Sequence, residues 1–114
     1  MAKKYIKVCR IEELEEKKGL RYYEDDYTDI AVFKVNGKLF AVDNICPHNH
    51  TPKMHLGYIE DEHVLCPVHF FKFSLSTGKQ TGEMGCVLKT YDIKTDGEFV
   101  YVEKPAGTKF NFEF

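Results

Sequence analysis

The stretch CPHNHTPKMHLGYIEDEHVLCPVH, residues 46–69, decides how this sequence is interpreted. It holds two of the four cysteines of the chain and all five of its histidines. Thiolate sulfur and neutral imidazole nitrogen are ligands for zinc and iron, so the stretch predicts a metal site. Two mixed pairs mark its ends: Cys46-Pro47-His48 and Cys66-Pro67-Val68-His69. Seventeen residues lie between His48 and Cys66.

Each pair contains a Cys-Pro step. Proline fixes its own φ and pushes the residue before it towards an extended conformation. Both cysteines are therefore expected at stiff corners between a strand and a loop. Because the ligands are already ordered there, less entropy is lost when a metal binds.

The mixed spacing distinguishes between two kinds of metal site. Structural zinc sites use two cysteines and two histidines, but they usually group Cys with Cys and His with His. Here each loop carries one of each, which favours a binuclear centre with two thiolates on one iron and two imidazoles on the other. Rieske [2Fe–2S] centres have this ligation.

The rest of the chain has the pattern of short strands, with apolar and polar residues alternating between turn signals. Three hairpins are predicted: residues 29–35 with 38–44 around Asn36-Gly37, 56–60 with 63–66 around an acidic turn, and 87–94 with 98–104 around residues 95–97. The one predicted helix is short, Ile11–Lys18. The tail FNFEF (residues 110–114) predicts an edge strand or a flap over the core. The pattern favours an all-β sandwich or barrel.

Composition excludes several classes of protein. The chain has 114 residues, enough for one domain, and its net charge of −2 gives no basic surface for nucleic acid. It has no run of about 18 apolar residues that would predict a membrane span, and no signal-peptide core, so we expect a cytoplasmic protein. Cys9 and Cys86 stand in apolar surroundings; we expect them to be buried, with a redox pair as the alternative.

Three segments resemble Rieske-type ferredoxins: GKLFAVDNICPH (37–48), LGYIEDEHVLCPVHFFKFSLSTGK (56–79) and LKTYDIKTDGEFVYV (88–102). The resemblance covers nearly the whole chain as a single domain, residues 1–114. It implies an all-β Rieske-type fold with an antiparallel sandwich or barrel base, residues 1–44 and 79–114. A small cluster-binding hairpin subdomain would occupy residues 45–78.

The resemblance also implies a ligand set. Cys46 and Cys66 would hold the buried iron, and His48 and His69 the outer iron. His50 falls where the family usually has glycine, so we expect it at the cluster rim and not as a ligand. Phe70 likewise replaces a glycine, and His55 and His63 are expected to be exposed polar residues. The expected docking rim is Pro47, His50, Phe70 and Phe71.

The implied function is that of a soluble one-electron carrier with one [2Fe–2S] cluster, and not an enzyme. Phe71 and Phe73 stand where relatives of higher potential have hydroxyl groups, which predicts a low reduction potential. The electron donor would be a flavin or NAD(P)H reductase, and the acceptor an oxygenase or a reductase large subunit. One alternative is the small subunit of a nitrite reductase-like complex, which the chain also resembles. Another is a zinc-stabilised interaction module.

Overall fold

The structure is a computed structural model that describes residues 4–25, 28–47, 50–68, 71–81 and 87–104. These ranges contain ten strands: β1 Tyr5–Arg10, β2 Gly19–Asp25, β3 Thr28–Val35, β4 Lys38–Asp43, β5 Tyr58–Glu60, β6 His63–Leu65, β7 Lys72–Ser74, β8 Thr90–Tyr91, β9 Ile93–Thr95 and β10 Phe99–Glu103. Two single-turn 3-10 helices, Ile11–Glu13 and Met54–Leu56, complete the regular structure of these ranges. Within the same ranges, no helix has the length and hydropathy needed to cross a membrane.

The strands form three antiparallel sheets, with the orders β1-β10-β9, β2-β3-β4-β8 and β5-β6-β7. The predicted all-β class is confirmed. The β3–β4 hairpin turns at Asn36 and Gly37, whose φ angles are 53° and 81°. A two-residue turn with two positive φ angles matches the right-handed twist of the flanking strands, which explains why Asn-Gly predicted it correctly.

The central sheet has a hydrophobic core on each face, because successive residues of β3 point to opposite sides. On one face, Ala31 and Phe33 belong to the first core, which also contains both cysteines of the predicted site. On the other face, Ile30 and Val32 belong to the second core. The first core is completed from the β5-β6-β7 sheet and the second from β1 and β10. The predicted cluster-binding hairpin therefore packs directly on the central sheet.

The predicted helix at Ile11–Lys18 is wrong. Only Ile11–Glu13 is helical, and the chain then extends, with Leu14 buried in the second core. The backbone N–H of Ile11 donates to the carbonyl of Glu98 at 2.9 Å, and that of Lys17 donates to Lys34 at 2.7 Å. Pairing with distant strands has overridden the helix propensity of a glutamate-rich segment.

The structure confirms one of the other strand predictions and divides another. The small β5–β6 hairpin is confirmed, with its turn at Asp61 and Glu62. The predicted strand over residues 87–94 is wrong as a single element, because it divides at Asp92: β8 pairs with β4, and β9 pairs with β10. The burial of Cys9 is confirmed, while Cys86 and the FNFEF tail lie outside the described residues.

Candidate metal centre

Two of the four predicted ligands are buried thiols. Cys46 lies three residues after β4 and Cys66 directly after β6, with exposed fractions of 0% and 1%. Both belong to the first core, which also contains Met54, Val64 and Phe73. Neither cysteine forms a disulfide. The fold thus brings two cysteines that form no disulfide into one apolar core from positions twenty residues apart.

Backbone hydrogen bonds fix both cysteines in their loops. The Cys46 N–H donates to the Thr51 carbonyl at 3.2 Å, and the Cys46 carbonyl accepts from the His50 N–H at 2.8 Å. The Cys66 N–H donates to the Phe71 carbonyl at 2.9 Å. Each cysteine N–H therefore bonds to a carbonyl five positions farther along the chain.

His50 occupies an unusual backbone conformation. Its φ is 58°, in the left-handed region, and its side chain is exposed. This region costs a residue with a Cβ about 1 kcal/mol relative to its usual conformations, and only glycine visits it routinely. The conformation explains why a glycine would fit this position, and the exposed imidazole agrees with its expected place at the rim.

The other predicted site residues are divided between the described and the undescribed parts of the chain. Pro47 and Phe71 are both half-buried, and Phe71 packs against the first core. His48, His69 and Phe70 lie outside the described residues. Among the residues that are described, no three Cys, His, Asp or Glu side chains come together as a metal site.

The sequence reasoning missed a buried polar network beside Cys46. Asn44 is fully buried, and its Nδ2 donates to Oδ1 of Asp29 at 3.0 Å. Asp29 is itself only 6% exposed, and it accepts from Nε and Nη2 of Arg21 at 2.9 and 2.7 Å. The one available signal was the position of Asp29, at the start of an apolar run long enough to be buried on both faces.

His55 also corrects an expectation. It is half-buried in the 3-10 turn, its backbone N–H donates to Oδ1 of Asn44 at 2.7 Å, and its ring Nδ1 lies 3.0 Å from the same atom. Burial and the nearby Arg21 guanidinium lower the pKa of His55. His63, on β6, is likewise half-buried, and its Nδ1 lies 2.9 Å from the carbonyl oxygen of Asp61.

The donor set fits an iron–sulfur cluster. Thiolate sulfur is a soft ligand that suits such clusters, and burial in an apolar core limits access of water to them. A disulfide would have removed both donors, and the structure has none between the described cysteines. The described half of the predicted ligand set, Cys46 and Cys66, therefore shares one core and is not joined by a disulfide.

Comparison with known proteins agrees with this geometry. Residues 4–103 match the model of the Rieske-like [2Fe–2S] domain. The chain is 34% identical over 102 residues to the ferredoxin component of biphenyl 2,3-dioxygenase from Rhodococcus jostii, covering 89% of this chain and 94% of that protein. It is 31% identical over 100 residues to the ferredoxin subunit of a biphenyl dioxygenase from Pseudomonas sp. strain KKS102, with coverages of 87% and 91%.

The solved structure of a Mycobacterium tuberculosis protein, assigned as the small subunit of an NADH-dependent nitrite reductase, superposes on this chain with a TM-score of 0.84. Its identity is 21%, over 93% of this chain and 99% of that one, so this likeness concerns the fold. With the family match over nearly the whole chain and two relatives above 30% identity, the chain belongs to the Rieske-like [2Fe–2S] domain family.

Proposed function

We propose that this protein is a one-electron carrier that docks transiently with a reductase and then with an oxygenase or related oxidoreductase. The single observation that carries the proposal is the pair of buried, disulfide-free thiols of Cys46 and Cys66 in one core. The family supplies a [2Fe–2S] cluster as cofactor. When bound, that cluster takes up and releases one electron.

The proposed ligands are Cys46 and Cys66 for one iron and His48 and His69 for the other. The backbone at His50 supports the choice of His48. His50 has the left-handed conformation suited to the glycine that the family usually carries there. That registration supports the assignment of the C-x-H motif, and hence of His48, to the ligand position.

The side chains around the thiols set the polarity of the site. Met54, Val64 and Phe73 are each 0% exposed and share the core with both cysteines. A dry apolar surrounding disfavours additional negative charge, and the phenyl groups of Phe71 and Phe73 have no hydroxyl to donate to sulfur. Both effects favour a potential near the lower end of the roughly −150 to +300 mV range of Rieske centres.

We propose a base of residues 1–44 and 79–114 that carries a cluster-binding unit of residues 45–78. The β5-β6-β7 sheet lies wholly within residues 45–78, which supports the division. The proposed docking rim is Pro47, His50, Phe70 and Phe71. Among these, the exposed His50 and the half-buried Pro47 and Phe71 offer the small contact surface typical of weak redox encounters.

The proposed partners are a flavin or NAD(P)H reductase as donor and an oxygenase as acceptor, by analogy with the two dioxygenase ferredoxins. A second candidate function is the small subunit of a nitrite reductase-like complex, which the superposition with the Mycobacterium tuberculosis chain favours. A cytoplasmic location is proposed for either function, because cysteines that form no disulfide are typical of a reducing compartment.

The test of the proposed function is a spectroelectrochemical titration followed by rapid mixing. We expect a single one-electron Nernst transition, and fast oxidation of the reduced protein by a one-electron acceptor such as cytochrome c. Affinity purification from the source organism then separates the two functions. A stable stoichiometric complex with a large sirohaem-containing subunit favours the second, and a freely eluting protein favours the carrier. A colourless protein with stoichiometric zinc would contradict both.

A further inference from the structure

The side chain of Asn44 joins several strands and turns at the neck of the first loop, where residue 44 meets residues 52–55. Nδ2 donates to Oδ1 of Asp29 and to the carbonyl oxygen of Pro52, both at 3.0 Å. Oδ1 accepts from the His55 N–H at 2.7 Å and lies 3.0 Å from Nδ1 of the same residue. A side-chain amide offers two donor hydrogens and two acceptor sites. All four are used by this one fully buried side chain.

The partners determine the orientation of the amide and the tautomer of His55. Carboxylate and carbonyl oxygens are acceptors only, so the atom facing Asp29 and Pro52 must be the nitrogen. The atom facing His55 is then the oxygen, which can only accept. The Nδ1 atom of His55 must therefore carry a proton. This hydrogen bond is kept whether the imidazole is neutral or protonated, because Nδ1 is a donor in both states.

The backbone of Asn44 closes the same neck. Its N–H donates to the Asp29 carbonyl at 2.9 Å, and its carbonyl accepts from the Met54 N–H at 3.1 Å. The two ends of the loop are thus joined by both backbone and side-chain bonds of one residue. Cys46 is only two residues farther along the chain, and its own N–H and C=O are bonded inside the loop that this neck closes.

The network is anchored to the most buried strand of the fold. Asp29 lies on β3, and Arg21, on the neighbouring β2, holds both of its carboxylate oxygens. A buried carboxylate is tolerated only where charged and polar partners replace water. The Arg21 fork supplies the charge and Asn44 supplies a further donor. The neck of the loop is therefore attached to an ion pair whose carboxylate is buried.

We propose that Asn44, supported by the Asp29–Arg21 pair, is the positioning residue that holds Cys46 in its ligand geometry before and after the cluster is bound. The inference rests on the proposed function, since it takes Cys46 to be an iron ligand. Asn44 contacts Asp29, Pro52 and His55, so it would act on Cys46 through the loop. Without its amide, the Asp29 carboxylate, the Pro52 carbonyl and two groups of His55 lose their partner together, and the neck opens beside Cys46.

The test compares Asn44→Ala with Asn36→Ala in the cluster-loaded protein. Asn36 is an exposed turn residue with a φ of 53°, so its substitution controls for a modest general loss of stability. We expect iron release to a chelator to be at least about tenfold faster in Asn44→Ala, as for other residues that orient a metal ligand. We also expect a shifted EPR spectrum and a shifted reduction potential. Asn36→Ala should match the wild type in all three measurements.

A wild-type rate of iron release with an unshifted spectrum in Asn44→Ala would overturn the proposal. A wild-type protein that carries no cluster would instead overturn the proposed function, and that result is obtained before any variant is compared. If Asn44→Ala does not fold, ¹⁵N NMR of the wild type tests the arrangement directly. Protonated Nδ1 of His55 at neutral pH, with slowly exchanging Asn44 amide protons, is the expected result; a His55 protonated at Nε2 alone contradicts it.

Discussion

Substitution of Gly78 by alanine tests how closely the turn after β7 packs against Leu88. Gly78 follows β7 and has a φ of 80°, and a Cβ added there would lie 1.8 Å from the carbonyl oxygen of Leu88. Since Cβ atoms keep about 3.0 Å or more from such an atom, the segment at Gly78 or the segment at Leu88 would have to move by more than about 1 Å. That shift breaks the 2.7 Å hydrogen bond from the Leu88 N–H to the Gly78 carbonyl. It also moves Leu88, which shares the first core with both cysteines.

Gly37→Ala is the matched control for this change. Gly37 has a φ of 81°, but a Cβ there would meet nothing within 4 Å. Left-handed strain costs about 1 kcal/mol at either position. At Gly78 alone, a lost hydrogen bond adds about 1 kcal/mol and the forced repacking another 1–3 kcal/mol.

The assay is the thermal midpoint of the cluster-loaded protein, measured at one scan rate. For a chain of this size, about 1 kcal/mol corresponds to about 4 °C. We therefore expect a decrease of about 4 °C for Gly37→Ala and about 12 °C or more for Gly78→Ala, with loss of cluster from the latter. Equal shifts in the two variants would refute the close approach of Gly78 to Leu88.

Three further predictions concern single side chains. In Phe73→Tyr the new hydroxyl can donate to sulfur, and a hydrogen bond worth about 1 kcal/mol should raise the reduction potential by about 40 mV; an unchanged or lower potential would contradict the proposed place of Phe73. Burial is the main cause that raises the pKa of Asp43. The carboxyl group therefore holds its proton more tightly in the folded protein than in the unfolded chain, and the stabilisation from this group is lost as pH rises through the folded-state pKa. Asp43→Asn should therefore gain thermal stability relative to wild type between pH 4 and pH 7, whereas a difference independent of pH would exclude this linkage. Burial and the nearby Glu13 raise the pKa of Cys9 from 9.0 to about 11, so its alkylation at pH 8 should be about a hundredfold slower in native than in urea-unfolded protein; equal rates by peptide mapping would show that the thiol is not protected.

Local signals in the sequence predicted the parts of the fold that depend on local chemistry. Asn36-Gly37 determines its own turn because both residues accept positive φ, and the Cys-Pro steps place both cysteines at corners. The paired spacing of Cys and His indicated the family before any sheet was known. These features need only a few neighbouring residues to take effect.

The features that sequence reasoning missed depend on residues far apart in the chain. The segment from Ile11 forms only one 3-10 turn and then extends, because Ile11 bonds to Glu98 and Lys17 bonds to Lys34, and β1 forms a sheet because it pairs with β10. Asn44 was overlooked because its partners at Asp29, Pro52 and His55 meet only in the folded chain. Such pairings carry no periodic signal, so only the three-dimensional arrangement shows them.

The central claim is that Cys46, His48, Cys66 and His69 hold a redox-active [2Fe–2S] cluster. The most direct test is the EPR spectrum of the dithionite-reduced protein, measured for the wild type, His48→Ala and His50→Ala at equal protein concentration. We expect a rhombic signal with an average g of about 1.9, as the family resemblance implies, in the wild type and in His50→Ala. We expect the signal to be lost in His48→Ala. A signal that survives in His48→Ala and disappears in His50→Ala would contradict the proposed ligand set.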